Sequence, residues 1–538
     1  MEGHEGLRKY VFVTGGVMSG IGKGITVASL AMLISRMGYS VTLIKIDPYL
    51  NVDAGTMNPY MHGEVFVTED GGETDLDLGH YERFLGKNLS KENNITTGKI
   101  YGNVIEKERR GEYLGQTVQI IPHITDEIKR QLQDVSEKNA SDITFIEIGG
   151  TVGDIEGLPF LEAARQMMID HGKENVAYIH TAYLPLLPTT GEIKTKPLQH
   201  SVNELRRIGI QPDMIVGRSP VKLSEDIKKK ISLFTNVPES GIISAHDVPI
   251  VYEVPLVMEE QGAGKHLIER LGLQYFKPEL DDWKDFIKRL VEANKRINIA
   301  MVGKYTSLHD SYLSIKEAIV HSSSLIGVKP ILKWVEATDL EEGKLKVEDA
   351  FSNINGAIIL PGFGKRGSEG KISAIKYLRE NNIPLLGICF GLQLSIVEFA
   401  RNVLGLKEAN STELDPYTPH PVVSLLEEQK NVNRLGGTMR LGSYPIVIER
   451  GSRAYKIYGR EEILERHRHR YEVNPAYIEK LVDAGLVISG WSKEGKRVEI
   501  VEYNKNKFFF ATQFHPEFKS RPLAPSPPFI EFLRASIS

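Results

Sequence analysis

Twice in 538 residues an apolar stretch ends on glycines and passes straight into a helical pattern, and these two junctions constrain the fold most. The first carries the apolar residues 10–14 through Gly15-Gly16-Val17-Met18-Ser19-Gly20-Ile21-Gly22-Lys23-Gly24 into a helix expected to reach Met37. The second is Ile383-Pro384-Leu385-Leu386-Gly387-Ile388-Cys389-Phe390-Gly391-Leu392-Gln393. A buried strand that turns directly into a helix is the unit of a parallel sheet covered by helices. Apolar runs at 41–46, 143–148, 176–181 and 214–217 extend the first alternation, and runs at 297–302, 357–360 and 384–389 extend the second. The pattern predicts an α/β protein with a P-loop-like, doubly wound parallel-sheet domain over 1–268 and a second α/β domain over 297–538. Residues 269–296, with Pro278-Glu279-Leu280-Asp281-Asp282-Trp283 and a charged helix to Lys295, read as a linker.

Composition removes several classes of function. Sixty-six basic residues against 70 acidic ones give a net charge of −4, which offers no basic stripe for nucleic acid. One cysteine excludes intrachain disulfides and fits a reducing, cytoplasmic location. No run of about 18 apolar residues predicts a membrane span, and the polar start Met1-Glu2-Gly3-His4 lacks a signal-peptide core.

The first junction has the chemistry of a phosphate site. Glycines let backbone N–H groups curl around an anion, the following helix adds the positive end of its dipole, and Lys23 reaches outer phosphates. The match to the common P-loop is partial: Val17 stands where its first glycine is required, and Gly24 replaces the metal-binding hydroxyl. Magnesium then needs carboxylates from elsewhere. Asp77, in the dense acidic run 69–77, and Glu147, inside Ile-Thr-Phe-Ile-Glu-Ile, are the candidates, although the acidic run also reads as a solvated loop. Lys194 and Lys196, two apart in Gly191-Glu192-Ile193-Lys194-Thr195-Lys196, would share one side of an extended loop and suit a second polyphosphate, or be a solvated surface.

The second junction has the chemistry of nucleophilic catalysis. A glycine-flanked elbow lifts the Cys389 side chain clear and aims N–H groups at what it attacks. In Gln513-Phe514-His515-Pro516-Glu517 the His and Glu are two apart, so an extended segment puts both on one side, His515 as base and Glu517 orienting it. The competing reading is a buried structural thiol.

Taken together these motifs resemble the CTP synthase family from about Tyr10 to Phe518, through the stretches 13–25, 45–49, 63–84, 147–156, 194–200, 410–413, 465–474 and 513–518. The resemblance implies an amidoligase (synthetase) domain fused to a class I glutamine amidotransferase domain. It implies amination of UTP at C4 with ATP and with ammonia from glutamine, through a phosphorylated UTP and an internal ammonia tunnel. By matching motif, Gly20, Ile21, Gly22, Lys23, Gly24 and Ile25 hold ATP, His246, Asp247 and Val248 lie near its adenine, and Asp77 and Glu147 bind Mg2+. His246 stands where some relatives carry lysine. Lys45 lies in the same active stretch. Ser19, Asp154, Ile155, Glu156, Lys194, Thr195, Lys196, Pro197, Leu198, Gln199 and Lys230 match positions for UTP and for inhibitory CTP. Gly362, Phe390, Gly391, Leu392, Gln393, Glu413 and Arg470 match glutamine-binding positions beside the Cys389–His515–Glu517 triad.

The family pattern Pro-Gly-Gly-Phe-Gly is one glycine shorter here, at Leu360-Pro361-Gly362-Phe363-Gly364, in the loop that helps form the oxyanion hole. GTP activation, a homotetramer and filament assembly are further expectations of the resemblance. A non-catalytic ATP switch of the chromosome-partitioning type shares the modified glycine loop but has no use for the triad. A glutamine-dependent synthetase acting on a carboxylate is disfavoured by residues 194–200 and 154–156.

Overall fold

The computed structural model describes residues 8–58, 62–304, 306–425, 429, 437–495 and 497–538. Their contacts form two units, the first of Met1–Asp53, His80–Lys87 and Glu92–Asp281, the second of Ala54–Gly79, Asn88–Lys91 and Asp282–Ser538. Among the described residues no helix is long and apolar enough to cross a membrane.

The first unit is built on seven strands in the order Ile242–His246, Met214–Ser219, Val176–Tyr183, Lys9–Gly16, Ile143–Ile148, Val41–Asp47, Asn94–Thr96. Every neighbouring pair is parallel. Helices cover both faces, which is why the central strands read as unbroken apolar runs instead of alternating ones. The chain starts in the middle of the sheet and winds outward both ways, so the carboxyl end of Lys9–Gly16 opens beside a topological switch point, where ligands of such sheets bind. Register sets what meets there: Glu147 is aligned with Val13 on one side and with Lys45 on the other.

The second unit has a nine-stranded sheet. Val328–Glu336, Lys295–Gly303, Gly356–Ile359, Leu385–Ile388 and Phe509–Thr512 are parallel. Val498–Glu502, Val487–Ser492, Arg440–Ile448 and Glu462–His469 continue antiparallel. The two-residue period of a strand divides its core. Ala357, Ile359 and Leu385 join one hydrophobic cluster with Ile375, Leu378 and Phe399, whereas Ile358, Leu386 and Ile388 join another with Ile315, Ile319 and Phe529. Within the stretch expected as a linker, Asp281–Glu292 is a helix that buries Trp283, Phe286 and Ile287.

Residues Ala54–Gly79 pack with the second unit, although they lie inside the expected first domain. The Glu64 carboxylate accepts from the backbone and hydroxyl of Ser314, the latter at 2.5 Å. Phe66 meets the Phe518 ring edge-on at 5.2 Å, and Arg466 donates to the carbonyl of Val67 at 2.9 Å. The acidic run is therefore not a simple solvated loop. Glu73 is buried against Arg468 at 2.8 Å, and Glu69 lies 3.3 Å from Arg466 and 3.1 Å from Lys519. Arginines two apart on strand Glu462–His469 supply the countercharge that lets these acids leave water.

Candidate active site

In the first unit, Gly22 caps helix Lys23–Arg36 from the left-handed region at φ 84°, and Gly20 is at φ 72°. Val17 adopts φ 80°, a left-handed conformation that is strained for a β-branched residue. A side chain at position 16 would collide with the Ser201 hydroxyl at 1.6 Å, which leaves only glycine there. The Lys23 ammonium donates to the carbonyl of Gly150 at 2.8 Å. Below the loop the His180 ring lies 2.8 Å from the Thr14 hydroxyl and 2.9 Å from that of Ser201. Burial, with Lys23 nearby, lowers the imidazole to about 3 and keeps it neutral.

Glu147 is buried at the end of strand Ile143–Ile148 and accepts from Lys45 at 2.9 Å and from the Tyr81 hydroxyl. Asp77 opens helix Asp77–Leu85 and belongs with the second unit's residues. Among the described residues no three His, Cys, Asp or Glu side chains form a metal-holding group. Magnesium does not require one, since it takes one or two protein carboxylates and completes its shell with phosphates and water. Glu147, a hard-oxygen donor at a strand's carboxyl end beside a lysine, fits that chemistry.

Lys194 and Lys196 do not share an extended loop. Pro197 sets the first turn of helix Lys196–Arg207, Thr195 is already in the helical region, and Lys196 leans over the Phe234 ring at 5.9 Å. Lys194 pairs with Glu192 at 2.6 Å, a contact that draws the Glu192 carboxyl below its usual range. Leu198 and Gln199 are buried, with the Gln199 amide donating to the Thr195 hydroxyl at 3.0 Å. Lys230 lies on helix Glu225–Thr235 and contributes to the field at Glu192. Ser19, Asp154, Ile155 and Glu156 are exposed, the Asp154 carboxylate accepting from the Thr151 backbone at 2.8 Å. His246 ends strand Ile242–His246, and Asp247 pairs with Arg218 at 2.5 Å; Val248 follows in the loop.

In the second unit, Cys389 caps helix Phe390–Asn402 at φ 54°, ψ −100°. A non-glycine residue holds this strained conformation only where its surroundings enforce it, and here its N–H is tied to the Thr512 carbonyl at 2.7 Å. His515 Nδ1 lies 2.7 Å from Glu517 Oε1. The two do not lie along an extended segment: Pro516 starts the turn Pro516–Lys519, which folds the carboxylate back onto the ring. Nε2 is buried with no hydrogen-bond partner among the described residues, which leaves it for the sulfur. Burial opposes charge on His515, but Glu517 and Cys389 overcome it and push the imidazole up to about 10.

A cavity of about 340 Å³ is lined by Cys389, His515, Glu517, Pro361, Gly362 and Phe363, together with Gly55–Asn58 and Arg468. Glu413 accepts from the Gly364 N–H at 2.6 Å, and burial raises its carboxyl. Arg470 donates to Gln429 at 2.7 Å and to Thr438 at 2.9 Å. Gly391 cannot carry a side chain, because the Ile359 carbonyl would lie 2.5 Å from it. Leu392 is buried, and Gln393 donates to the Tyr471 carbonyl at 2.8 Å.

Sequence reasoning overlooked three groups here. The Gln513 amide approaches the thiol at 3.8 Å, and the Arg468 carbonyl accepts from it at 3.6 Å. Lys371 is buried under the loop 360–364. Gln513 stands two residues before His515, which was a legible signal. The one signal for Lys371 is its place among the apolar positions of helix Ser368–Glu380.

A phosphate-loop synthetase unit joined to a unit with a cysteine elbow and a His–Glu pair defines a glutamine-dependent amidoligase. A family model described as the CTP synthase N-terminus matches residues 9–273, and one described as class I glutamine amidotransferase matches 307–535. A CTP synthase from Saccharolobus solfataricus is 61% identical over 532 residues, 98% of this chain and 99% of that protein. One from Aeropyrum pernix is 60% identical over 530 residues, covering 98% of each. A solved Trypanosoma brucei CTPS glutaminase domain with bound acivicin is 37% identical, covering 45% of this chain and 94% of its own at a TM-score of 0.41. The chain belongs to the CTP synthase family.

Proposed function

We propose that this enzyme converts UTP to CTP, using ATP and glutamine, with the residues assigned above. The observation that carries the reading is the buried Cys389–His515–Glu517 arrangement at a strained elbow, in a chain whose other unit presents a phosphate loop. In the second unit the Cys389 sulfur attacks the side-chain carbonyl carbon of glutamine. His515 passes a proton to the departing ammonia, and water then releases glutamate from the thioester. Glu517 holds the ring and offsets its charge.

In the first unit, O4 of UTP attacks the γ-phosphorus of ATP and ADP leaves. Ammonia then adds at C4, inorganic phosphate departs with the former O4, and loss of a proton gives CTP. Phosphorylation is needed because the oxygen of an amide-like carbonyl leaves poorly. Lys23 steadies the transferred phosphate, and Lys45 neutralises developing charge. Glu147 and separately Asp77 are the residues that would hold magnesium, which when bound would neutralise further charge on the phosphates. Homotetramer assembly, inhibition by CTP, activation by GTP and a cytoplasmic location belong to the same reading.

The direct test follows absorbance of the pyrimidine while UTP, ATP, Mg2+ and glutamine are incubated with the protein. No CTP with either glutamine or ammonia refutes the reading. A narrower test concerns Lys194. Lys194→Ala is expected to raise the UTP requirement and weaken CTP inhibition together, because both ligands carry the same triphosphate. A lysine–phosphate contact contributes about 1.5–3 kcal/mol, or roughly tenfold to a hundredfold. Unchanged dependence on both nucleotides would make the Lys194–Glu192 pair a solvated surface feature.

A further inference from the structure

Lys371 has one of the largest fully buried side chains in the protein, and nothing in the reaction above uses it. Its ammonium donates to the Leu360 carbonyl at 2.7 Å and reaches that of Pro361 at 3.5 Å, while lying 5.3 Å from the centre of the Phe390 ring. Lys304 donates to the next tethered carbonyl, that of Phe363. A Cβ on Gly362 would lie 3.4 Å from Lys304 Cε and 3.7 Å from Lys371 Nζ, so both cations flank the same glycine.

A peptide group points its N–H away from its C=O. Tying the Pro361 carbonyl to a buried cation therefore aims the Gly362 N–H to the other side, while the Leu360 carbonyl, which precedes a proline without an N–H, serves as an anchor. Pro361, Gly362 and Phe363 of this loop line the cavity with Cys389. The orientation of the Gly362 N–H therefore comes from what holds the Pro361 carbonyl.

We infer that Lys371 is a positioning residue of the glutaminase centre: its buried ammonium anchors the Leu360 carbonyl and holds that of Pro361 so that the Gly362 N–H faces the oxyanion formed at Cys389. The inference rests on Cys389 being the nucleophile. Burial, with Lys304 as a like charge, lowers the Lys371 amine to about 7, while Cys389 and Glu336 pull the other way. Arg366, Glu413 and Glu336 act in turn on Lys304. The protonated amine holds the carbonyls more strongly than the neutral one. The function is therefore present at low pH and lost as pH rises through this group.

The test uses Lys371→Met, which keeps the volume and removes the donors. Misaligned oxyanion donors typically cost on the order of 10²-fold. Glutamine-dependent kcat is expected to fall by about that factor, with the glutamine KM within about threefold and ammonia-dependent CTP formation within about twofold. In wild type, kcat/KM for glutamine should decline on the alkaline side, and Lys371→Met should lack that limb. Lys371→Gln, neutral but still a donor, should retain about tenfold more activity than the methionine variant.

A glutamine kcat within about threefold of wild type in Lys371→Met overturns the inference. So does an equal loss of the glutamine and ammonia reactions, which marks a merely structural lysine. If Lys371→Met does not fold, a Lys371→Gln profile that keeps the full wild-type alkaline limb overturns it. Failure of the nucleophile reading looks different, since Cys389→Ala would then go on hydrolysing glutamine whatever Lys371 does.

Discussion

Cys389→Ala is expected to abolish CTP formation from glutamine while leaving formation from added ammonia close to wild type. The thiol is the nucleophile of the proposed glutaminase reaction. Deleting such a group typically costs about 10⁴-fold or more and leaves only binding and oxyanion assistance. Alanine keeps the elbow itself, because the N–H bond to the Thr512 carbonyl and the cap of helix Phe390–Asn402 are backbone features. The first unit retains Lys23, Lys45 and Glu147, to which the proposed mechanism assigns the phosphorylation of UTP. Both rates should be measured on the same folded preparation. Persistent hydrolysis of glutamine would remove Cys389 from the mechanism. Parallel loss of both reactions would make it a structural thiol. A partitioning-type ATP switch would form no CTP in either assay, even before mutation.

Lys23→Ala should have the complementary effect and stop CTP formation with glutamine and with ammonia alike. Phosphoryl transfer precedes both amination routes, and losing a phosphate clamp lowers the rate on the order of 10³-fold or more. Lys23 begins a helix whose cap is the backbone of Gly22, so the fold should survive loss of its side chain. Glutamine hydrolysis offers the control, because the Cys389 centre is built from other residues. Ammonia-dependent turnover at the wild-type rate in Lys23→Ala would remove the phosphate assignment.

The parallel strands were readable because both of their faces are buried. Strand Ile143–Ile148 coincides with its apolar run, and Lys9–Gly16 and Val41–Asp47 extend theirs by one or two residues. The two glycine junctions were readable for a related reason: a strand feeding directly into a helix leaves few conformations, and Gly22 at φ 84° and Cys389 at φ 54° occupy the demanding ones. The His515–Glu517 pairing was anticipated from a spacing of two, yet it forms through a tight turn begun by Pro516. Charged segments were the least legible. Glu69 and Glu73 are ordinary surface residues by composition, and only their arginine partners, some 400 positions away, bring them inside.

Local chemistry along the chain was therefore enough to read two α/β units, the glycine turn that leads into the helix at Lys23, and the cysteine elbow. Each depends on near neighbours in sequence: apolar period, glycine at a turn, a helix start. Packing between remote segments decided the rest. It grouped Ala54–Gly79 with the amidotransferase unit, set Lys45 against Glu147 by strand register, and placed the Lys371 ammonium beneath the loop 360–364. A buried charge depends on whichever carbonyl or countercharge the fold brings to it, and no pattern along the chain carries that distance.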